Sequence, residues 1–135
     1  MKKGFTLIEL LVVISLIGIL ATLVIANMNS ARERARDAQR KSDFRSIQTA
    51  LRLYYNDKGG YPATANMGVW GDPWIVSGIT YMNILPTDPL SDQNYTYTST
   101  DTDDYTLKAC LENKSDDKGV TDATCTSGYK YEVKP

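Results

Sequence analysis

The chain has 135 residues and a net charge of -1, which suits one small domain at about 100–200 residues per domain. It contains no histidine and two cysteines. That excludes Ser-His-Asp and Cys-His nucleophiles, an imidazole base, and a His-containing or all-thiolate zinc site. The overall hydrophobic content of 42% is ordinary, but residues 5–28 hold 18 apolar side chains of 24 while residues 59–135 hold 28 of 77.

From Leu10 to Ala26 the chain reads LLVVISLIGILATLVIA, uncharged and interrupted only by Ser15, Gly18 and Thr22. Phe5, Leu7, Ile8 and Met28 extend it to the roughly 20 apolar residues that a membrane-spanning helix needs. A bilayer forces backbone hydrogen bonds to close within the segment, so helix is expected despite the β-branched residues. Lys2 and Lys3 give it a basic start, as in a secretory signal peptide. Against that reading stand the length of the apolar run, the lack of a small-x-small cleavage site after it, and Glu9 at its start. A carboxylate at the edge of hydrocarbon is costly unless it reaches water, is protonated, or meets a cation. Glu9 therefore either snorkels to the interface or awaits a cation from another chain.

The segment MKKGFTLIELLVVISLIGIL resembles the class III signal peptides of type IV pilins and type II secretion pseudopilins. The resemblance is close over residues 1–28 and looser to about residue 56. It implies cleavage by a prepilin peptidase after Gly4 and N-methylation of Phe5. It also implies that Glu9 neutralises the terminal amine of a neighbouring subunit during filament assembly. Opposite charges in a low-dielectric filament core tolerate burial only when paired, which ties assembly to register. Gly18 matches a glycine common in these helices. Ala26 stands where many members have proline, so the helix has less reason to kink there.

Residues 30–57 continue with helical periodicity. Ala31, Ala35 and Ala38 share one face, and Phe44, Ile47, Leu51 and Tyr54 recur at three- and four-residue steps. Asp37 and Lys41 are spaced as an i,i+4 pair. Gly59-Gly60 and Tyr61-Pro62 end the helix, which is expected over Thr6 to Tyr55, about 75 Å at 1.5 Å per residue. The larger apolar face is expected to lie on the head, and the alanine face to pack between subunits. Residues 30–56 carry +4 and residues 57–135 carry -6, which suggests that one subunit's helix meets another's head. By the positive-inside rule Arg32, Arg34, Arg36, Arg40 and Lys41 favour a cytoplasmic C-terminus. The dedicated leader and the cysteines argue for export, and export is the expectation.

Residues 63–93 read as a loop-rich stretch in which Trp70 and Trp74 cover the helix. Strands are expected at 95–98, 105–112 and 129–133, where apolar and polar residues alternate, with a turn over 99–104. The segments LPTDPL, YTY and YTLKACLE are similar to pilin and pseudopilin heads, and YNDKGGYP to the helix end in many of them. Cys110 and Cys125 lie in the exported part, where a disulfide is the natural reading and two free buried thiols the alternative. A bridge here resembles the C-terminal disulfide loop of many type IV pilins. The loop between them offers Asp116, Asp117 and Asp122 to calcium, as major pseudopilins often do nearby, but without EF-hand spacing. A solvated loop without metal is the expectation, and no cofactor is expected.

The fold class expected is α+β: a long N-terminal helix on a small antiparallel sheet, with a C-terminal disulfide loop. Residues 1–4 are the leader, 5–29 the transmembrane and assembly helix, 30–58 the amphipathic helix, and 59–135 the head. The function expected is a structural, major-pilin-like subunit of a type IV pilus or type II secretion pseudopilus, with no catalysis of its own. Its partners would be further copies in a helical filament, the prepilin peptidase, an inner-membrane platform protein, an assembly ATPase, and membrane lipid before assembly. Nucleic acid is not expected, because the head is net acidic. The precursor would cross the cytoplasmic membrane once with its C-terminus outside, and the mature subunit would stand in an extracellular or periplasmic filament. The alternative is an uncleaved bitopic protein whose outer head binds a ligand or partner.

Overall fold

A computed structural model describes residues 4–135, with the backbone alone at Ala26. The chain forms two compact units, the first reaching Glu33 and the second spanning Arg34–Pro135. Helix α1 runs over Leu7–Lys58 without interruption at Gly18 or Ala26. Gly59 stops it by adopting a φ of 74° and donating its N–H to the Tyr55 carbonyl at 2.8 Å, which a residue with a side chain would adopt only under strain.

In the first unit the apolar side chains are exposed: Leu7 is 81% and Ile25 65% accessible. One 18-residue window has a mean hydropathy of 2.8, long and apolar enough to cross a membrane. The polar interruptions turn inward on the helix itself. Ser15 Oγ donates to the Leu11 carbonyl at 2.7 Å and Thr22 Oγ1 to the Ile19 carbonyl at 2.7 Å, which leaves no hydroxyl hydrogen unpaired toward hydrocarbon.

In the second unit, a single 3₁₀ turn at Thr64–Asn66 leads to strands β1 (Trp74–Val76) and β2 (Ile79–Met82), paired antiparallel. A four-stranded antiparallel sheet follows: β3 (Thr96–Asp101), β4 (Asp104–Cys110), β5 (Val120–Thr121) and β6 (Tyr129–Val133), in the order β3-β4-β6-β5. The α+β architecture is as expected, with three differences. The stretch read as loop contains the β1–β2 hairpin, closed by Ser77 and Gly78 with φ of 53° and 81°, the two positive values of a type I′ turn. Strands of three and four residues are too short for periodicity to show. The β3–β4 ladder reaches Asp101 opposite Asp104, so the turn expected over 99–104 shrinks to Thr102 and Asp103. The second expected strand extends instead over Asp104–Cys110, with Leu111 and Glu112 beyond its end.

The core lies between the helix and the sheet. Tyr105, Leu107 and Ala109 point from β4 to the helix, where Phe44, Ile47, Ala50 and Leu51 are buried against them. Aromatic rings supply the bulk that a lean head otherwise lacks. Trp74 stacks on Tyr54 with ring centres 5.3 Å apart and donates its Nε1–H to the Asn66 carbonyl. Trp70, half-buried against the same core, meets Tyr95 edge-on at 5.8 Å. Two buried hydroxyls find acceptors: Tyr97 donates to the Pro62 carbonyl and Tyr95 to Asp43, each at 2.7 Å.

Candidate functional site

The residues at the start of α1 form a local hydrogen-bonded unit. Thr6 donates its backbone N–H to Glu9 Oε2 at 2.9 Å and its hydroxyl to the same oxygen at 2.7 Å. Glu9 returns its own N–H to Thr6 Oγ1 at 3.3 Å. This is a capping box, in which a Thr and the Glu three residues on satisfy each other's otherwise orphaned donors. The T-x-x-E signal for this cap stands in the sequence at Thr6-Leu7-Ile8-Glu9. The cap leaves Glu9 exposed beside Phe5, Ile8, Val12 and Val13, a carboxylate on an apolar surface.

A second polar constellation sits between the amphipathic half of α1 and the head. Arg40 is sealed from solvent. Its Nε and Nη2 reach both oxygens of Asp88 at 2.8 and 2.7 Å, and its Nη1 reaches Asp37 at 2.7 Å and Glu112 at 2.8 Å. Arg36 closes on Glu112 through Nε and Nη2 at 2.8 and 2.6 Å. Asp37 also accepts the backbone N–H groups of Glu112 and Asn113, which pins the end of β4 to the helix. Burial opposes the Arg40 charge, but its bonds to Asp88, Glu112 and Asp37 outweigh that penalty and raise its pKa. Arg36, and after it Arg40, hold the Glu112 carboxyl below its ordinary value against the opposing effect of burial.

One turn further, Lys41 Nζ sits 2.6 Å from both oxygens of Asp116. Burial pushes the Asp116 carboxyl up, but the Lys41 and Lys118 hydrogen bonds prevail and lower it. Cys110 on β4 is joined to Cys125 across a separation of 15 residues, with Cα atoms 5.4 Å apart. The loop carrying Asp116 is thereby held at one end by the ion pairs and closed by the bridge.

These features can be set beside known proteins. Residues 1–25 match the family described as the prokaryotic N-terminal methylation motif. The type II secretion system core protein G of Pseudomonas aeruginosa is 36% identical over 99 residues, 65% of this chain and 68% of that protein. The chain belongs to the family of type IV pilins and type II secretion pseudopilins. The core protein G of Pectobacterium carotovorum is 34% identical over 96 residues, 65% of this chain and 62% of its own length. The type IV major pilin protein PilA of Myxococcus xanthus is 36% identical over 65 residues, 48% of this chain and 30% of its own. The chain thus spans less than two thirds of the Pectobacterium protein and less than a third of the Myxococcus pilin. No solved structure matches the chain.

Within this pilin-family chain the residues expected to matter separate into three places. Gly4, Phe5 and Glu9 lie together at the N-terminal end, and Cys110 and Cys125 are bonded in the head. The expected Asp37–Lys41 pair does not form: Asp37 turns to Arg40 and to the head's backbone, and Lys41 to Asp116. Part of the charge complementarity assigned to neighbouring subunits is satisfied within the chain, because Arg36, Arg40 and Lys41 are paired with Glu112, Asp88 and Asp116. Of the three carboxylates considered for calcium, Asp116 is held by Lys41. Asp122 takes the N–H and hydroxyl of Thr124 at 2.8 and 2.6 Å, with Lys108 and Lys130 each 3.5 Å away. Among the described residues, no group of three or more His, Cys, Asp or Glu is arranged to hold a metal ion. The Arg40 cluster was missed. Its signal was available, since the Phe44, Ile47, Leu51 stripe continued backward in three- and four-residue steps lands on Arg40 and Asp37.

Proposed function

We propose that the chain is a structural, non-enzymatic subunit of a type II secretion pseudopilus or a closely similar type IV filament. The observation that carries this reading lies in the first unit: an exposed apolar helical stretch, residues 7–28, whose one charge is Glu9, within the matched methylation motif of residues 1–25. No fold of this chain buries that surface, so lipid covers it first and other copies later. Prepilin peptidase removes residues 1–4, and methylation follows at Phe5. The precursor crosses the cytoplasmic membrane once with its head outside, and a platform protein and assembly ATPase extract it into the filament. In the assembled core, Glu9 exchanges the Thr6 cap for the terminal amine of a neighbour. The names of the core protein G relatives favour the secretion filament over the adhesive or motile one.

The test is mass spectrometry of the protein from its native host, joined to electron microscopy of sheared surface fractions. Methylated Phe5 at the mature terminus and fibres containing the chain are the expected results. An intact Met1 with no fibres would make it a bitopic protein with an outer binding head.

A further inference from the structure

After the internal pairs are formed, one set of arginines in the second unit is left over. Arg34, Arg45 and Arg52 are exposed and join no ion pair among the described residues. Separations of 11 and 7 residues place them within about 20° of one another on α1 at ~100° per residue, a single file on one side. They lie away from the face that carries Arg40, Phe44, Ile47 and Leu51 into the core. Arg45 and Arg52 are two turns apart, about 10 Å at 1.5 Å per residue. Leu53, 48% exposed, stands beside Arg52 and adds apolar area.

The opposite charge is concentrated at the β3–β4 turn. Asp101, Asp103 and Asp104 are all exposed and none meets a cation among the described residues. The turn is held in place. The Thr102 carbonyl accepts the Tyr61 N–H at 2.6 Å, and Ser99 Oγ donates to the carbonyls of Asp101 and Asp104. Tyr55 donates its hydroxyl to Asp103 at 3.0 Å. A rigid acidic turn and a straight basic file need little ordering to meet, which is the condition under which exposed charges contribute to association.

We propose that the Arg34–Arg45–Arg52 file of one copy receives the Asp101–Asp103–Asp104 turn of the next copy in the filament. The inference rests on the filament reading above. The occupant is a second copy because both halves of the contact belong to the same chain and differ in sign. File against file, or turn against turn, repels, so the contact joins two different patches. Repeated head-to-tail from copy to copy, as in the filament proposed above, such an interface builds an open helical polymer when its rotation does not close. Several pairs repeated along a polymer also set the register in which apolar helices, which slide easily on one another, come to rest.

The experiment uses the full chain with its assembly machinery in cells, comparing the filament yields of wild type, R45E/R52E, D103K/D104K, and the two variants expressed together. Thermal unfolding and an intact Cys110–Cys125 bridge in each purified full-length variant establish that the heads are folded. Each double variant alone should lower the yield about tenfold or more, since like charges then face each other. Co-expression should restore it, because each altered file meets an oppositely altered turn. Wild-type yield from R45E/R52E, or a loss from both variants that co-expression does not repair, overturns the pairing while leaving the filament intact as a reading. Absence of filaments from wild type itself overturns the filament reading and the pairing together.

Discussion

Arg40 and Asp88 face each other through two parallel hydrogen bonds of 2.8 and 2.7 Å, with side chains 0% and 1% accessible. They lie 48 residues apart in the chain, one on α1 and one in the segment between β2 and β3. The fork of the guanidinium matches the carboxylate plane, and its third nitrogen is used by Asp37 and Glu112. Three segments of chain therefore converge on a single side chain.

Arg40→Met should destabilise the head by about 3–5 kcal/mol, the range for breaking a buried ion pair and leaving charges unpaired. Here Asp37, Asp88 and Glu112 would keep only Arg36. Asp88→Asn should cost less, since the cluster of two arginines and three carboxylates then becomes neutral. Both tryptophans lie in the head, so urea unfolding of the full chain in detergent, followed by their fluorescence, reads this region. Equal losses for the two variants would mean that shape, not charge balance, governs the cluster.

Acid should loosen the contact between the helix and the disulfide loop before it unfolds the core. Glu112 and Asp116 both have folded-state pKa values lowered from their ordinary 4.5 and 3.8. A depressed folded value means that the stabilisation is fully present above the unfolded pKa. It is lost as the pH falls through the folded pKa, because the unfolded chain binds more protons. Protection against hydrogen exchange, taken relative to the intrinsic rate at each pH, should therefore fall in residues 111–124 below about pH 4, with residues 44–51 protected to lower pH. Glu112→Gln should show faster exchange at neutral pH and a flatter acid response. An unchanged acid response in that variant would place the sensitivity elsewhere.

Replacing Cys110 and Cys125 by serine together should lower the stability of the head by about 3 kcal/mol, the chain-entropy value for a loop of this length. The loss should be uneven. Proteolysis should appear first between Leu111 and Thr124, where short polar turns such as Asn113 to Asp116 and Asp116 to Gly119 hold the backbone. The Arg40–Asp88 pair does not involve this loop and should persist. Uniform loosening of the whole head would show that the bridge and the ion cluster form one cooperative unit.

The parts of this protein that were legible in its sequence are those with a simple period or a strong compositional bias. Leu10 to Ala26 reads as a helix long and apolar enough to cross a membrane, and the alternation in Tyr105, Leu107 and Ala109 marks β4 and its buried face. Strands β1, β2 and β5 have two to four residues, below the length at which alternation differs from chance. Arg40 was hidden for another reason. A charged residue on a helix reads as solvated by default, and its burial depends on Asp88 and Glu112 being brought from 48 and 72 residues away. Periodicity reports which face is buried, but not that a buried position is polar. Lys41 shows the same limit: its local partner Asp37 was within reach, but Asp37 turns to Arg40 one turn along the helix and Lys41 to Asp116 from the head.

Glu9→Ala and Glu9→Gln should separate the two roles of that side chain. The carboxylate caps α1 by accepting the Thr6 N–H and hydroxyl, and in the filament proposed above it would meet a neighbour's amine. Glutamine keeps an oxygen that can accept the cap bonds but brings no charge, whereas alanine removes both. Loss of a helix cap costs about 1 kcal/mol and frays only the first turn. An unpaired ammonium in an apolar core costs several kcal/mol, repeated at every subunit. If the charge organises assembly, both variants should lose filaments severely and to a similar degree, with head unfolding as in wild type because Glu9 lies in the other compact unit. If Glu9→Gln assembles normally and only Glu9→Ala fails, the cap is the contribution that matters. Filament yield measured beside urea unfolding of each full-length variant decides between them.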